Sequence, residues 1–358
     1  MKKKAFSQIK EILRDAKKGK MFILVDDGDR ENEGDLVIPG SKCNSKNINF
    51  MAKHGRGLIC LALTSKKVKK LNLPLMSSIN KSRTQTAFTI SIESKKGVTT
   101  GISAYDRAKT IKVAINPNSN RNSIVSPGHV FPLVARDGGV LERAGHTEAS
   151  VDISKLAKLN PSAVICEVMN EDGTMARYKD LILFAKKHRL KIAKIEDLIS
   201  HRLRNEKLIK CISNKKIKIK KFGSFDLKTF KNKLDGSEHY AITKGKFTKN
   251  KASRVRVIST NVLNSFFNFN KDIFKNSLKY LNKFNNFALI LVKGTNLNPA
   301  SSENNKILRY YGIGAQIIKE LKIKKMILVS RSIKRVIALD GYGIKITKQE
   351  IIKWKKKY

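Results

Sequence analysis

Residues 21–35, MFILVDDGDRENEGD, join a short apolar run to a dense group of acidic residues. The apolar part, residues 21–25, is typical of a buried strand. The acidic part, residues 26–35, places six carboxylates in ten residues of a chain whose formal net charge is +45. Carboxylates this close repel one another, and a bound cation is the usual relief. The run is therefore a candidate site for a hard divalent cation, and the alternative is a solvated acidic loop.

The spacing of the acidic run excludes a self-contained EF-hand calcium loop. Counting from Asp27, the sixth position is Asn32, where an EF-hand needs glycine. Counting from Asp29, the twelfth position is Gly40, where an EF-hand needs glutamate. Any ion held here must take further ligands from elsewhere in the chain or from a substrate.

Length and composition predict a globular protein of about two domains. The chain has 358 residues, 41% of them hydrophobic, and no apolar stretch approaches the eighteen residues of a membrane span. The basic N-terminus continues into an amphipathic helix pattern instead of the apolar core of a signal peptide. The four cysteines show no close pairing. We therefore expect a cytoplasmic protein with reduced thiols and no membrane partner.

The excess of basic residues raises the alternative of a nucleic-acid-binding protein. Lysine outnumbers arginine, and the lysines lack the interleaved arginine and aromatic residues of a stacking surface. An A/T-rich genome encodes such a lysine bias in any protein. We expect nonspecific attraction to polyanions but no specific nucleic-acid partner.

Charge and chemistry are divided unequally along the chain. Residues 1–200 contain 36 of the 74 basic and 20 of the 29 acidic residues, which leaves 38 basic and 9 acidic residues for 201–358. The second part has a single cysteine and two histidines. Titratable and metal-binding side chains are thus concentrated in the first part. We predict two domains, residues 1–205 and residues 206–358.

Apolar runs and helical patterns alternate irregularly in the first part. Runs typical of strands lie at 21–25, 57–63, 86–92, 110–115 and 163–169. Helical spacing is found at 178–185, and residues 152–159 are a further helix candidate. Because there is no regular strand–helix–strand rhythm, the pattern favours an α+β fold over a doubly wound one.

Two histidines follow glycines in segments where the backbone can approach a ligand closely. His129 lies in SPGHVFPL and His146 in ERAGHTEA. Histidine is the natural acid–base residue near neutral pH and a common metal ligand. The alternative for each is a capping or core histidine. Beside His146, Arg143 and Thr147 together suit a phosphate.

Three other features of the first part stay open between a structural and a functional reading. Glu167 lies within an apolar run, where a carboxylate either points outward or is held in a polar pocket with a raised pKa, ready for proton transfer. Cys60 also lies in an apolar run, where a small core residue is the usual reading. Residues 97–107, GVTTGISAYDR, either cradle a phosphate or form a turn.

Together these segments resemble 3,4-dihydroxy-2-butanone 4-phosphate synthase, an enzyme family of riboflavin biosynthesis. The resemblance covers roughly residues 1–200 in the family's order, through motifs at 26–35, 56–63, 97–107, 126–133, 143–149 and 167–177. It implies a lyase that converts D-ribulose 5-phosphate to 3,4-dihydroxy-2-butanone 4-phosphate and formate with magnesium. It also implies a homodimer and a mixed sheet with helices packed on it.

The resemblance further implies a role for each matching residue. Glu31 and His146 look like the metal ligands, and His129 and Glu167 like the catalytic proton-transfer pair. Magnesium suits carboxylate ligands, and a histidine ligand also suits manganese. The implied substrate-binding positions, with Arg143 and Thr147 toward the phosphate, are Arg30, Glu31, Asp35, Arg143, Ala144, Gly145, His146, Thr147 and Glu167. Further positions expected near the site are Asp27, Glu33 and Cys60.

The second part resembles the tail of GTP cyclohydrolase II, most clearly at residues 308–318 and 338–343. That family needs three zinc-binding cysteines, whereas this part contains only Cys211. The resemblance therefore implies a smaller, degenerate α/β domain without zinc. Two alternatives stay open: a bifunctional enzyme that also hydrolyses GTP, and a nucleic-acid-binding role for the basic half.

Overall fold

The computed structural model of the chain describes residues 6–27, 30–81, 84–248, 251–260, 271–293, 303–332 and 342–352. Their contacts form two compact units; the main division falls between Ile199 and Ser200, and the described residues 303–305 are grouped with the first unit. The domain boundary near residue 205 stays a prediction. No helix within these ranges is long and apolar enough to cross a membrane.

The first unit is a seven-stranded mixed sheet with helices packed against it. Its strands are β1 (Phe22–Val25), β2 (Gly34–Pro39), β3 (Cys60–Thr64), β4 (Ile92–Ser94), β5 (Ile124–Ala135), β6 (Ser162–Glu167) and β7 (Lys191–Lys194). Its helices are α1 (Ile9–Lys17), α2 (Ser45–Phe50), α3 (Ser65–Leu71), α4 (Ala104–Ile115), α5 (His146–Leu156) and α6 (Tyr178–Lys187), and α7 (Ile195–Asn205) spans the division between the units. The order across the sheet is β4-β5-β3-β6-β2-β1-β7, in which β5–β3 and β1–β7 are parallel and the other neighbours antiparallel.

Apolar residues cover both faces of the central strands. Every residue of β1 and β2 is buried, so their alternate side chains pack into two layers. One layer joins strand residues such as Ile23 and Leu61 to Ile48 of α2, Ile111 of α4 and Leu181 of α6. Helix α5 is buried along nearly its whole length. The acidic loop between β1 and β2 is therefore anchored at both ends in fully buried strands.

The predicted strands at 21–25 and 163–169 and the predicted helix at 178–185 are confirmed as β1, β6 and α6. The predicted strand at 110–115 is wrong, because these residues form the last turns of α4. Ser103 caps this helix by accepting a hydrogen bond from the backbone N–H of Asp106 at 3.0 Å, and the residues it buries have helical spacing. The run at 86–92 forms only isolated bridges before β4 begins at Ile92.

The second unit also contains a seven-stranded mixed sheet. Its strands are β8 (Ile209–Ile219), β9 (Gly223–Asn232), β10 (Glu238–Lys244), β11 (Ser253–Thr260), β12 (Phe287–Lys293), β13 (Lys325–Ser330) and β14 (Lys345–Ile351). They lie in the order β14-β13-β11-β12-β10-β9-β8, antiparallel from β8 to β12 and parallel from β12 to β14. Helices α8 (Lys271–Leu281) and α9 (Glu303–Glu320) belong to the same half of the chain. The predicted α+β class is confirmed.

The two segments that carry the resemblance to GTP cyclohydrolase II are covered unequally. Residues 308–318 lie within α9, whereas residues 338–341 lie outside the described residues. The core of this unit joins Phe225, Ile242, Leu278 and Phe287. The apolar strands of the second half therefore form a packed core, as a folded domain requires.

Candidate active site

The acidic loop between β1 and β2 is folded around the carboxylate of Asp26. Its Oδ1 accepts a hydrogen bond from the backbone N–H of Glu33 at 3.0 Å, and its Oδ2 accepts one from that of Glu31 at 3.2 Å. Arg30, whose side chain is also buried, donates from Nη1 to Asp26 Oδ2 at 2.7 Å and pairs with Glu31. These contacts turn Glu31 toward the interior, so part of the run is not the solvated acidic loop of the alternative reading.

His146 meets the acidic loop from the N-terminus of α5. Its ring is 7% exposed, and its Nδ1 lies 3.9 Å from Glu31 Oε2 and 3.8 Å from Asp35 Oδ1. Both distances are too long for hydrogen bonds. Its Nε2 is buried without a hydrogen-bond partner among the described atoms. Burial lowers the pKa of His146, which favours the neutral imidazole that metals bind.

Asp26, Glu31 and His146 each place a ligand atom within 4.8 Å of the others. In the described part of the chain, no other group of three histidine, cysteine or acidic side chains is this close. Two carboxylates and one neutral imidazole suit magnesium or manganese. Nδ1 of His146 lies near two carboxylates without hydrogen-bonding either, and its buried Nε2 has no partner among the described atoms, so the ring has a free nitrogen to offer a divalent cation.

Asp35 and Glu167 lie directly opposite each other on the antiparallel strands β2 and β6. Burial raises the pKa of Asp35 well above its usual value, and the facing charge of Glu167 raises it further. Burial also raises the pKa of Glu167, although the backbone N–H of Leu58 donates to its Oε2 at 2.9 Å. A carboxyl group whose pKa is raised toward neutrality can both accept and donate a proton.

Close packing holds the Glu167 carboxylate in place. A Cβ on Gly57 would lie 2.7 Å from Glu167 Oε2 and 2.5 Å from the Glu167 carbonyl oxygen. Any side chain at this position would therefore push the carboxylate aside. The GLI sequence at 57–59 thus serves the site through its backbone, by leaving room and by donating a hydrogen bond.

Arg143 is buried, and its guanidinium is already engaged within the chain. Its Nη1 donates to Glu148 Oε2 at 2.6 Å, and its Nη2 donates to Thr86 Oγ1 at 2.9 Å and to the Thr84 carbonyl at 3.0 Å. Its predicted contact with a phosphate stays a prediction. Ala144, Gly145 and Thr147 surround the start of α5, where unpaired backbone N–H groups favour an anion.

The described contact of His129 is with Glu93. His129 lies on β5 with its ring 43% exposed, and its Nδ1 is 3.5 Å from Glu93 Oε1. Among the described residues, no carboxylate of the acidic loop and neither Asp35 nor Glu167 is paired with it within 4.0 Å. His129 and Glu167 therefore form no direct ion pair within one chain, and their role as a proton-transfer pair stays a prediction.

The remaining predicted positions are Asp27, Glu33 and Cys60. Burial raises the pKa of Glu33, whose carboxylate lies 3.6 Å from Arg177 Nη1. Burial raises the pKa of the Cys60 thiol as well, and Glu167 adds to the shift. Asp27 is half-buried in the turn and accepts a backbone hydrogen bond from Arg30 at 3.0 Å.

Sequence reasoning missed four residues that organise the site: Asp26, Glu93, Glu148 and Arg177. Asp26 was visible as the first acid of the run, but nothing in the run separates an inward carboxylate from an outward one. Arg177 donates to the Glu31 and Asn32 carbonyls at 2.7 and 2.9 Å. Such contacts between distant parts of the chain leave no local sequence signal.

Comparison with known proteins agrees with this geometry. The sequence model of 3,4-dihydroxy-2-butanone 4-phosphate synthase matches residues 10–201, which contain every residue of the cluster. The chain belongs to the 3,4-dihydroxy-2-butanone 4-phosphate synthase family. The model of GTP cyclohydrolase II matches residues 210–283 and 274–350, so both predicted resemblances are confirmed.

Relatives of this synthase-family chain extend over both units. It is 43% identical over 377 residues to the riboflavin biosynthesis protein RibBA of Aquifex aeolicus, covering 97% of this chain and 93% of the relative. It is also 43% identical over 362 residues to the 3,4-dihydroxy-2-butanone 4-phosphate synthase of Photobacterium phosphoreum, covering 95% of this chain and 98% of the relative.

Two solved structures match the chain, one over nearly its whole length and one over about half of it. The crystal structure of RibBX, a two-domain 3,4-dihydroxy-2-butanone 4-phosphate synthase from A. baumannii, matches with a TM-score of 0.83 and 39% identity, covering 98% of this chain and 100% of that one. A 3,4-dihydroxy-2-butanone 4-phosphate synthase in complex with two magnesium ions matches with a TM-score of 0.54 and 37% identity, covering 56% of this chain and 98% of that one.

Proposed function

We infer that this protein converts D-ribulose 5-phosphate to 3,4-dihydroxy-2-butanone 4-phosphate and formate in riboflavin biosynthesis. The observation that carries this inference is the meeting of Asp26, Glu31 and His146 in one largely buried cluster, inside the segment that matches the synthase family. The reaction removes one carbon from a sugar phosphate without an external oxidant, so it needs a Lewis acid and proton-transfer groups.

We propose magnesium as the Lewis acid, with manganese as an alternative. Glu31 and His146 hold it, and Asp26 offers a further carboxylate oxygen. When bound, such an ion polarises the carbonyl and hydroxyl oxygens of the substrate and so acidifies the neighbouring C–H bond. We propose no zinc, because Cys211 is the only cysteine after Cys166 and a structural zinc site needs more ligands.

The chain's own residues then bind the substrate and move protons. Glu167 and Asp35 face each other with raised pKa values, so Glu167 is suited to take a proton and return it in a later step. The N-terminus of α5, with Thr147, binds the phosphate. Arg30 holds Glu31 and Asp26 in place, and His129 is the second proton-transfer group.

We extend the proposal to a cytoplasmic homodimer. His129 is partly exposed and is paired with Glu93 instead of the acidic cluster. A second copy of the chain offers a route by which His129 and Glu167 act on the same substrate. Partial recovery of activity on mixing inactive His129→Ala and Glu167→Ala proteins would support this arrangement. Failure of the mixture, despite subunit exchange, would contradict it.

A direct assay tests the function. Purified protein is incubated with D-ribulose 5-phosphate, and formate is measured before EDTA, with EDTA and after addition of magnesium or manganese. We expect formate release that EDTA abolishes and either metal restores. The second candidate, a bifunctional enzyme, is tested by formate release from GTP and by metal analysis, and we expect neither GTP-dependent formate nor stoichiometric zinc. Absence of metal-dependent formate from ribulose 5-phosphate would disprove the main proposal.

A further inference from the structure

Residues 97–107, which the sequence left open between a phosphate cradle and a turn, are tied to the first turn of α4. The carboxylate of Asp106 accepts hydrogen bonds from Thr99 Oγ1 at 2.8 Å, from the Thr99 backbone N–H at 3.2 Å and from the Gly101 backbone N–H at 3.1 Å. Asp106 is itself buried, and Ser103 caps the same helix. The loop from Thr99 to Gly101 therefore has a fixed backbone.

This fixed loop packs against the carboxylate of Glu93. Gly101 has a φ of +86°, and a Cβ there would come 1.2 Å from Glu93 Oε1 and 2.7 Å from Glu93 Oε2. The space that a side chain would take at Gly101 is therefore filled by the Glu93 carboxylate. Glycine is required at this position both for its backbone conformation and for that contact.

The sheet brings Glu93 to His129. Ile92 of β4 pairs with Val130 of β5, and the register shifts between Ile92 and Glu93. A Cβ on Gly128 would lie 2.3 Å from the Ile92 carbonyl group, so the two backbones approach closely at this point. The Glu93 side chain is 16% exposed, and its Oε1 lies 3.5 Å from His129 Nδ1.

His129 is the ionisable group that faces Glu93 in the described structure, where no lysine or arginine lies within 4.0 Å of the Glu93 carboxylate. A carboxylate facing Nδ1 favours the tautomer that carries its proton on Nδ1, which leaves a lone pair on Nε2. The distance is long for a hydrogen bond, as is common for catalytic contacts in ligand-free structures.

We propose that Glu93 is a positioning residue for His129. It holds the Nδ1–H of the imidazole and so presents Nε2 for proton transfer, while the loop held by Asp106 and Gly101 fixes the carboxylate. This inference rests on the proposed function, since His129 moves protons only if the protein is the synthase. Residues 97–107 thus support a carboxylate through the backbone of Gly101.

The kinetic test compares Glu93→Gln and Gly101→Ala with matched controls. Gly173 has a φ of +85° and nothing within 4 Å of a built Cβ, so Gly173→Ala reproduces the backbone strain without the clash. Glu196→Gln removes an exposed carboxylate. We expect kcat for formate release to fall roughly ten- to hundredfold in both test variants, part of the 10²–10⁴-fold that a positioned acid–base group contributes. KM should stay within about twofold in all four variants, because Glu93 does not touch the substrate.

The kcat of the double variant Glu93→Gln/Gly101→Ala shows whether the two substitutions act through the same residue or independently. We expect it to be no slower than the slower single variant, since both changes act through His129. Multiplication of the two losses would overturn the proposal, and so would wild-type kcat in Glu93→Gln.

A spectroscopic test determines the tautomer of His129 in the wild-type protein itself. Long-range ¹H–¹⁵N spectra of the histidine-labelled wild-type protein report the tautomer of each ring, and His129→Gln assigns the signal. We expect His129 to carry its proton on Nδ1 in the wild type and to become a mixture in Glu93→Gln. An Nε2–H tautomer in the wild type would disprove the inference. If the wild type released no formate from ribulose 5-phosphate, the proposed function would fail, while the tautomer would still decide whether Glu93 orients His129.

Discussion

The facing pair Asp35 and Glu167 of the first unit and the half-buried Glu350 of the second unit are two different ways of withdrawing a carboxylate from solvent. Glu350 accepts a bidentate pair from Arg254 at 2.9 Å and a hydrogen bond from Tyr280 at 2.9 Å. Burial alone would raise its pKa, but these donors lower it. Asp35 and Glu167 face each other instead. Burial is the largest cause that raises the pKa of each of these two carboxyl groups.

The difference separates a structural charge from a functional one. The carboxylate of Glu350 is surrounded by donors, which stabilise its charged form. A cluster of carboxylates with raised pKa values destabilises the fold in the absence of a cation, and such clusters concentrate at functional sites. The comparison therefore predicts opposite effects of substitution in the two regions.

The largest expected effect follows removal of a proposed metal ligand. In Glu31→Ala and in His146→Ala, we expect kcat/KM for formate release to fall at least about a thousandfold, because a Lewis acid contributes several kcal/mol to the transition state. Magnesium titration by calorimetry should show weakened binding, while circular dichroism stays unchanged. Glu196→Ala is the control. Near-normal turnover in either folded variant would remove the proposed metal site.

Removal of a proton-transfer group should separate catalysis from metal binding. We expect His129→Ala and Glu167→Gln to lose roughly 10²–10⁴-fold in kcat while still binding magnesium. Glu167→Gln should also raise the melting temperature of the metal-free protein, since it removes one of two facing carboxylates. A lower melting temperature with EDTA present would mean that Asp35 and Glu167 do not repel each other in the folded state.

Substitution of the structural carboxylate should do the reverse. We expect Glu350→Gln to lower the stability of the second unit by about 1–2 kcal/mol, between the values for exposed and buried ion pairs, and to leave formate release unchanged. Amide hydrogen exchange of β11 and β14, the strands that carry Arg254 and Glu350, measures this loss of stability. Equal protection in the variant and the wild type would show that the pair with Arg254 contributes nothing.

The same carboxylate gives a pH dependence with a defined sign. Its folded-state pKa lies below the unfolded value of about 4.3, so its stabilisation is fully present above that value. It is lost as the pH falls through the folded-state pKa. Protection of β11 and β14 should therefore fall less steeply below about pH 5 in Glu350→Gln than in the wild type. Parallel curves for the two proteins would contradict the assignment.

Removal of the whole second unit should have only a small effect on formate release. Every proposed catalytic residue precedes residue 170, and the synthase match ends at residue 201. A chain ending after Asn205 should therefore fold and release formate at a rate within a few-fold of the full chain. A well-folded but inactive truncated protein would show that the second half supports the first.

Local patterns in the sequence were enough for several elements of this fold. The apolar run before the acidic loop predicted β1, and the spacing at 178–185 predicted α6. The strand prediction for residues 110–115 was wrong because this run is largely apolar and partly β-branched, as many strands are. The signal that would have corrected them is local too: Ser103 with Asp106 three residues later is a helix-start pattern.

The sequence by itself also determined the family and the acidic run, because both are properties of residues in order. Only the tertiary structure decided which acids turn inward, which of them face each other, and that His129 pairs with Glu93. Those outcomes depend on strand pairing and packing between segments far apart in the chain, as when β2 sets Asp35 opposite Glu167 on β6. Local sequence patterns describe neighbours along the chain, whereas electrostatics depends on neighbours in space.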